Sequence, residues 1–419
     1  MTQQSLSLSQ RHGEIRSSSP LPTQPELLRS KQKREKMREA TDSSRMIKMK
    51  RGRGMPLFRN AINAVLTCLL FMAVPNLAED HAIFYGKQIS AERYTVVEGG
   101  GYFPVLIQLD NKDLVAAVRG GDRHIGVNGR LDWVRSTDGG KTWTLKPLVD
   151  GPMDHRNPAV GQLKDGSVLV TYEIDRGYGP NGERLKGCAT DGLYTMRSND
   201  RGYTWKGPIK SPLPLDYCVS PFGKIAQLSD GTALLNVYYG KGPHPASLVY
   251  RSKDSGETWG DPSVIAEDYN ETSLLVLPDE RILAILRSYA GEHLAVSFSS
   301  DKGRTWSPPR QVTHDREHPA DVILLKDGRL LLAYGERNRP FGVRAMLSRD
   351  LGQTWGPNII ILADDAQRPD CGYPSSAEIA PGKIVTLYYG TDELKDTISG
   401  VRDLRGIYAR AIVWRISDQ

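Results

Sequence analysis

The segment NETSLLVLPDERILAILRS, residues 270–288, sets Glu271 before one apolar run and Arg287 at the end of the next. Charged groups in such surroundings need a partner or a ligand of opposite sign. Arg287 therefore either pairs structurally with Glu271 or helps to hold an anion. Further along, RPFGVRAMLSRD (339–350) supplies Arg344, and CGYPSSAEI (371–379) opens on Tyr373. His155 and Arg156 in DHRNP, His318 and Asp321 in REHPAD, and Glu336 and Arg337 in YGERNRP add imidazole, carboxylate and guanidinium groups. Guanidinium forks grip carboxylates, whereas carboxylates, phenols and imidazoles move protons. Together they suit a polar pocket for a sugar. No zinc spacing, Walker loop or dinucleotide fingerprint occurs, so neither a metal nor a cofactor is expected.

The elements that position these groups repeat along the chain. Six apolar hairpins recur: LIQLDNKDLVAAV, VGQLKDGSVLVTY, IAQLSDGTALLNVY, LLVLPDERILAIL, VILLKDGRLLLAY and AEIAPGKIVTLYY. Near-continuous apolar runs are the pattern of strands buried on both faces. Aligned on the turn, the first strands place Phe103, Asn157, Phe222, Glu271, Pro319 and Tyr373 at one level. The returning strands place Arg119, Glu173, Tyr238, Arg287, Gly335 and Tyr389 beside them.

Between the hairpins a second pattern recurs: RSTDGGKTWT, RSNDRGYTWK, RSKDSGETWG, SSDKGRTWS and LSRDLGQTWG. Its aspartates, 138, 200, 254, 301 and 350, are 62, 54, 47 and 49 residues apart, one four-stranded unit each. The Asp can accept from turn amides, the Gly supplies a positive φ and the Trp packs beneath, so these aspartates are structural. The predicted fold is all-β, a six-bladed β-propeller of four-stranded antiparallel blades over residues 79–419. Residues 81–90 would complete the last blade with the C-terminal strand, removing exposed edges.

The repeat resembles the Asp box, or BNR repeat, of the sialidase (neuraminidase) superfamily. That resemblance implies a glycoside hydrolase in which Glu271 takes the proton of Tyr373 as the phenol attacks the anomeric carbon, while Arg287 and Arg344 hold a substrate carboxylate. A neutral phenol avoids the repulsion that a carboxylate nucleophile would meet from an anionic sugar. The acid/base is expected on the loop RGGDRHIGVNGRLD, at Asp122 with Asp132 behind it. Where the family's first hairpin carries an arginine, GYFPVLI has Tyr102, and Arg119 is the substitute that the hairpin offers. Arg337 and His155 complete the expected substrate-binding set. Two other classes remain open: a propeller lyase acting on uronic-acid glycans with His155 or Tyr373 as proton carrier, and a carbohydrate-binding propeller without catalysis.

The formal charge of +6 is misleading about partners. The first 78 residues hold 14 Lys and Arg against 5 Asp and Glu, which leaves the remainder net negative, so no nucleic-acid partner is expected. Residues 1–47 are too polar for a core and read as a disordered or untranslated leader. Residues 48–78 combine a basic start, an apolar run at 61–74 and small residues near Ala78, the pattern of a secretory signal. The run falls short of a bilayer span. A secreted or periplasmic protein with a glycan partner and no membrane association after cleavage is expected, its oligomeric state open. Cys188 and Cys218 are the candidate disulfide.

Overall fold

The structure, a computed structural model, describes residues 81–84, 87–185, 190, 192–211, 219–239, 245–392 and 404–416. The expected leader and signal segments and the Cys188–Cys218 pairing lie outside the described residues; Cys371 is a buried free thiol. Among the described residues the secondary structure is strand throughout, with no helix.

The strands follow one another as β1 (His81–Phe84), β2 (Lys87–Glu98), β3 (Tyr102–Gln108), β4 (Leu114–Gly120), β5 (Arg130–Ser136), β6 (Thr144–Val149), β7 (Asp154–Gln162), β8 (Val168–Asp175), β9 (Leu193–Ser198), β10 (Lys206–Ser211), β11 (Val219–Gln227), β12 (Ala233–Tyr239) and β13 (Ala246–Ser252). They continue as β14 (Gly260–Glu267), β15 (Tyr269–Val276), β16 (Ile282–Ser288), β17 (Leu294–Ser299), β18 (Arg310–Gln311), β19 (Glu317–Leu324), β20 (Leu330–Glu336), β21 (Phe341–Ser348), β22 (Ile360–Ala366), β23 (Gly372–Ala380), β24 (Lys383–Thr391) and β25 (Ile407–Arg415). β3–β6, β15–β18 and β19–β22 form separate four-stranded antiparallel sheets. β7–β10 and β11–β14 are two further antiparallel sets, joined by a short parallel pairing of Gly223 with Ala159 and Lys224 with Val160. The last sheet runs β1-β2-β25-β24-β23.

Burial grades outward within each set. β4 and β8 are buried along their whole length, whereas β6 is mostly exposed. The first strands pack in a cycle, β3 on β7, β7 on β11, β11 on β15, β15 on β19, β19 on β23 and β23 on β3. The apolar core is accordingly divided into layers between neighbouring sheets, such as Val105, Leu131 and Trp133 against Val160, Val170 and Tyr172. Gly161 lets two first strands approach: a Cβ there would lie 2.7 Å from the Ile225 Cβ. Lys224 ties three of these strands together, its ammonium 2.7 Å from Asp321 and 2.8 Å from the Ser376 carbonyl.

The closure differs from the expected segment by several residues. β2 pairs with β25 through Ala91–Trp414 to Glu98–Tyr408, so residues 91–98 make the closing strand, and β1 adds a fifth. The cause is apolar content: Val96 and Val97 bury against Val385 and Ala409 and so anchor this strand in the sheet.

Each Asp-box turn is held from within. At Asp254 the carboxylate accepts from Ser252 Oγ (2.7 Å), the Thr258 amide (2.9 Å) and Thr258 Oγ1 (2.5 Å), and Ser252 Oγ in turn accepts from the Gly256 amide (2.8 Å). This fixes Trp259, whose Nε1 donates to Thr195 Oγ1 (3.2 Å) of the preceding sheet. Burial alone would raise the Asp254 pKa, but these donors outweigh it and hold it below the usual carboxylate value. A depressed carboxylate stabilises the fold above its unfolded pKa and loses that contribution as pH falls through the folded one. Asp254→Ala should therefore cost about 1–2 kcal/mol at pH 7, read from the urea midpoint, with a penalty that shrinks in strong acid.

Candidate functional site

All six first strands are interrupted near the same end, five at closely matching positions and β11 one to two residues further along. Their register with the following strand shifts between Tyr102 and Val105, Arg156 and Ala159, Phe222 and Ala226, Tyr269 and Thr272, Glu317 and Ala320, and Gly372 and Ser375. Such bulges re-aim one side chain out of the sheet alternation. Phe103, Asn157 and Tyr373 adopt φ of 53°, 50° and 49° there, a conformation that L-residues hold only where the surroundings enforce it. Gly372 makes room for Tyr373: at φ 96° it packs on Gly335, and a Cβ would lie 2.7 Å from the Gly335 Cα.

The bulged residues meet. Tyr373 Oη donates to Glu271 Oε1 at 2.5 Å, across 102 positions of sequence. Arg287 Nη1 donates to Glu271 Oε2 at 2.7 Å, and its Nη2 to Glu292 Oε1 at 3.1 Å. Phe103 packs on the Tyr373 ring at 4.8 Å, Phe222 at 6.1 Å and Tyr389 at 5.6 Å. The Arg337 guanidinium stands 5.7 Å from the centroid of the same ring. Burial, then the Glu271 charge, push the Tyr373 phenol above its ordinary pKa, with Arg287 and Arg337 opposing. Burial disfavours the Arg287 cation, yet Glu271 and the Tyr373 phenol more than compensate, so it stays charged. His318, fully buried, is pushed far down by burial and by Arg287, Arg337 and Arg316, which leaves it neutral.

Of the expected site residues, the structure thus brings together Tyr373, Glu271, Arg287 and Arg337. It separates the others. Arg344 donates to backbone carbonyls, Val343 at 3.2 Å, Pro340 at 3.1 Å and Ala363, and takes no part in the cluster. The reason is its place on β21, the third strand of its sheet, whereas Arg337 follows directly on β20 at the level of the bulges. Arg119 is fully buried, with Nε and Nη2 on Asp154 Oδ1 (3.0 and 2.7 Å) and further bonds to the Asp122 and Gly126 carbonyls. It braces its own loop and does not replace the clamp arginine. Asp122 is turned into the same loop, accepting from the Arg123 and Asn128 amides at 2.9 and 3.2 Å, and is buried. Asp132 behind it pairs with Arg130 at 2.8 Å.

His155 lies on the opposite face of β7 from Asp154 and Arg156, with Nδ1 2.8 Å from the Met153 carbonyl and its ring against Tyr172. Strand alternation removes it from the mouth. Tyr102, fully buried, packs edge-on to His124 (5.6 Å) and Tyr389 (5.0 Å) and lines a pocket of about 600 Å³. Arg123, His124, Glu292, Arg316, Arg337 and Asp370 line the same pocket. His124, Glu292 and Asp370 escaped sequence reasoning, although His124 sits two residues from Asp122 and Asp370 directly precedes CGYP. Proximity to these motifs was the available signal. Among the described residues no group of three or more His, Cys, Asp or Glu side chains is placed to hold a metal ion.

A second buried carboxyl borders the mouth. Glu173 Oε1 accepts from Asn157 (2.7 Å) and Ser220 (2.6 Å), while its Oε2 has no hydrogen-bond partner. Burial, only partly offset by Arg156 and Ser220, raises it to about 7. A raised carboxyl is held protonated in the fold, so stability is full below the unfolded pKa and falls as pH rises to about 7. Glu173→Gln should abolish that fall. Unfolding free energies from urea titrations at pH 5 and pH 8 should differ by on the order of 3 kcal/mol less for the variant than for the wild type.

Comparison with known proteins agrees with this architecture. The model of the BNR repeat-like domain matches residues 153–385, more than half of the chain, and that of the BNR/Asp-box repeat matches residues 134–145. A sialidase of Bacteroides fragilis (strain YCH46) is 25% identical over 289 residues, covering 61% of this chain and 53% of the relative, so the chain spans about half the length of that relative. Among solved structures, a protein of unknown function from Dyadobacter fermentans DSM 18053 superposes with a TM-score of 0.66 at 25% identity, covering 78% of this chain and 98% of its own. The Hadza microbial sialidase Hz136 gives 0.59 at 23% identity, with 74% and 65% covered. Trypanosoma rangeli sialidase gives 0.56 at 13%, with 80% and 58% covered, a likeness of fold. With its recurring Asp-box turns and convergent first strands, the chain belongs to the BNR repeat-like domain family of the sialidase superfamily.

Proposed function

We propose that this protein is a secreted retaining exo-glycoside hydrolase that removes a terminal acidic sugar from glycans, built as a six-bladed propeller with the leader directing export. The observation that carries the reading is the 2.5 Å contact from Tyr373 Oη to Glu271 Oε1. A phenol is a weak nucleophile until a base takes its proton. Glu271 is positioned to do so, and Arg287 on its other oxygen fixes its orientation. As the Tyr373 oxygen bonds to the anomeric carbon, the glycosidic bond breaks and the phenolic proton passes to Glu271. Water then releases the sugar, and the proton returns to Tyr373.

The acidic group of the substrate is assigned to Arg337. Arg287 already carries two carboxylates, Glu271 and Glu292. Arg337 has no carboxylate within ion-pair distance among the described residues; its Nη2 donates to the Cys371 carbonyl at 3.4 Å, and its Nε is buried without a hydrogen-bond partner. A half-buried guanidinium left this way favours an anionic ligand. The lyase alternative loses support because His155 faces Tyr172 and the Met153 carbonyl.

Tyr373→Phe should reduce turnover of acidic aryl glycosides at least 1000-fold while the unfolding midpoint stays within a degree or two; full activity in that variant, or an unsaturated product from the wild type, would discard the mechanism. Arg337→Ala should raise KM for the same substrates roughly 10- to 100-fold, the loss of one charged hydrogen-bond fork, and change KM little for neutral analogues.

A further inference from the structure

The mechanism above needs a proton for the departing oxygen, and Asp122 is locked in its own loop. That loop instead brings His124 to the pocket. His124 Nδ1 lies 2.8 Å from Asp370 Oδ1, and the same oxygen accepts from Tyr389 Oη at 2.7 Å. The imidazole stands edge-on to Tyr102 at 5.6 Å and to Phe103 at 4.9 Å. Phe103 in turn touches Tyr373 at 4.8 Å, so a single aromatic ring separates the imidazole from the nucleophile. About a third of each partner remains open, 35% for His124 and 34% for Asp370, which lets a ligand in the pocket reach them.

We propose that His124, oriented by Asp370, is the general acid and base of this site, in the role that the aspartate of the same loop was expected to fill. The assignment rests on the glycosidase reading. Nδ1–H donated to Asp370 leaves Nε2 to exchange the proton. In the first half-reaction the imidazolium Nε2–H protonates the glycosidic oxygen as its bond to the anomeric carbon breaks and the bond to Tyr373 Oη forms. In the second, Nε2 takes a proton from the attacking water, the tyrosyl bond breaks and Glu271 returns its proton to the phenolate. Protons and bonds balance over the cycle, with water as the one co-reactant. Asp370 remains the anion throughout: burial opposes its charge, but His124, Tyr389 and Arg337 hold its pKa below the usual carboxylate value. The other ionisable groups about the imidazole are the Tyr102 and Tyr389 phenols, Arg123 beside it, and Glu292, Arg316 and Arg337 across the pocket.

The test compares two sialosides, one with an activated aryl leaving group and one with an unactivated sugar alcohol, on the full-length protein. His124→Gln should lower kcat/KM for the unactivated substrate 100- to 10,000-fold, the usual range for a general acid, and for the aryl substrate less than about 10-fold. The alkaline limb of the aryl pH profile should disappear with it. Asp370→Asn should lower kcat/KM for the unactivated substrate well beyond its effect on the aryl one, because the imidazole loses the acceptor that orients it. Equal loss on both substrates, or loss on neither, in His124→Gln or in Asp370→Asn overturns the assignment while the hydrolase reading stands. A wild-type protein inert toward both sialosides and toward aryl uronides overturns the hydrolase reading, and the assignment with it.

Discussion

A carboxylate can be buried among aromatic rings only where its oxygens are matched by donors, and Glu271 meets that condition with a phenol on one oxygen and a guanidinium on the other. The three groups belong to β15, β16 and β23. No local segment could assemble them. Their meeting requires β15 and β23, first strands of two sheets separated by the β19–β22 sheet, to converge, and each of them to bulge beside the contact. The site is thus a consequence of how the sheets pack round a common axis.

Two devices divide this work. At the periphery, Asp-box turns tie Ser, Asp and Thr into short cycles that seat a Trp against the adjoining sheet, as at Asp254 and Trp259. Near the axis the ladder is broken in register, and residues such as Phe103, Asn157 and Tyr373 take a left-handed backbone. That conformation is unfavourable for side chains of this size, and the neighbouring strands compel it. Left-handed backbone also recurs in the Asp-box turns, at Arg201, Ser255, Lys302 and Leu351, where the Asp carboxylates are met by Ser, Thr and amide donors.

The arginines illustrate the same division. Arg119 is enclosed by Asp154 and loop carbonyls, and Arg344 by backbone carbonyls of its own sheet, so both stabilise the scaffold. Arg287 is shared between Glu271 and Glu292. Arg337 sits over the Tyr373 ring, with no carboxylate within ion-pair distance among the described residues. Equal formal charge, then, gives these four arginines different surroundings according to which acceptors meet each.

Much was legible from the chain alone. Asp-box spacing and paired apolar runs specified short antiparallel strands, because their signals are local: a turn needs its Asp, Gly and Trp within one decamer, and a doubly buried strand needs an unbroken apolar run. Register counting from the turns also selected Glu271, Arg287 and Tyr373, since repeats of equal build place equal positions at equal depth. What sequence left undecided was direction and partnership. Whether Arg337 or Arg344 reaches the phenol depends on strand order within one sheet, and whether His155 faces the mouth depends on alternation across a bulge. That His124 and not Asp122 enters the pocket depends on how one loop closes on its own amides. Such choices are settled by contacts between residues far apart in the chain, which the packed fold alone creates.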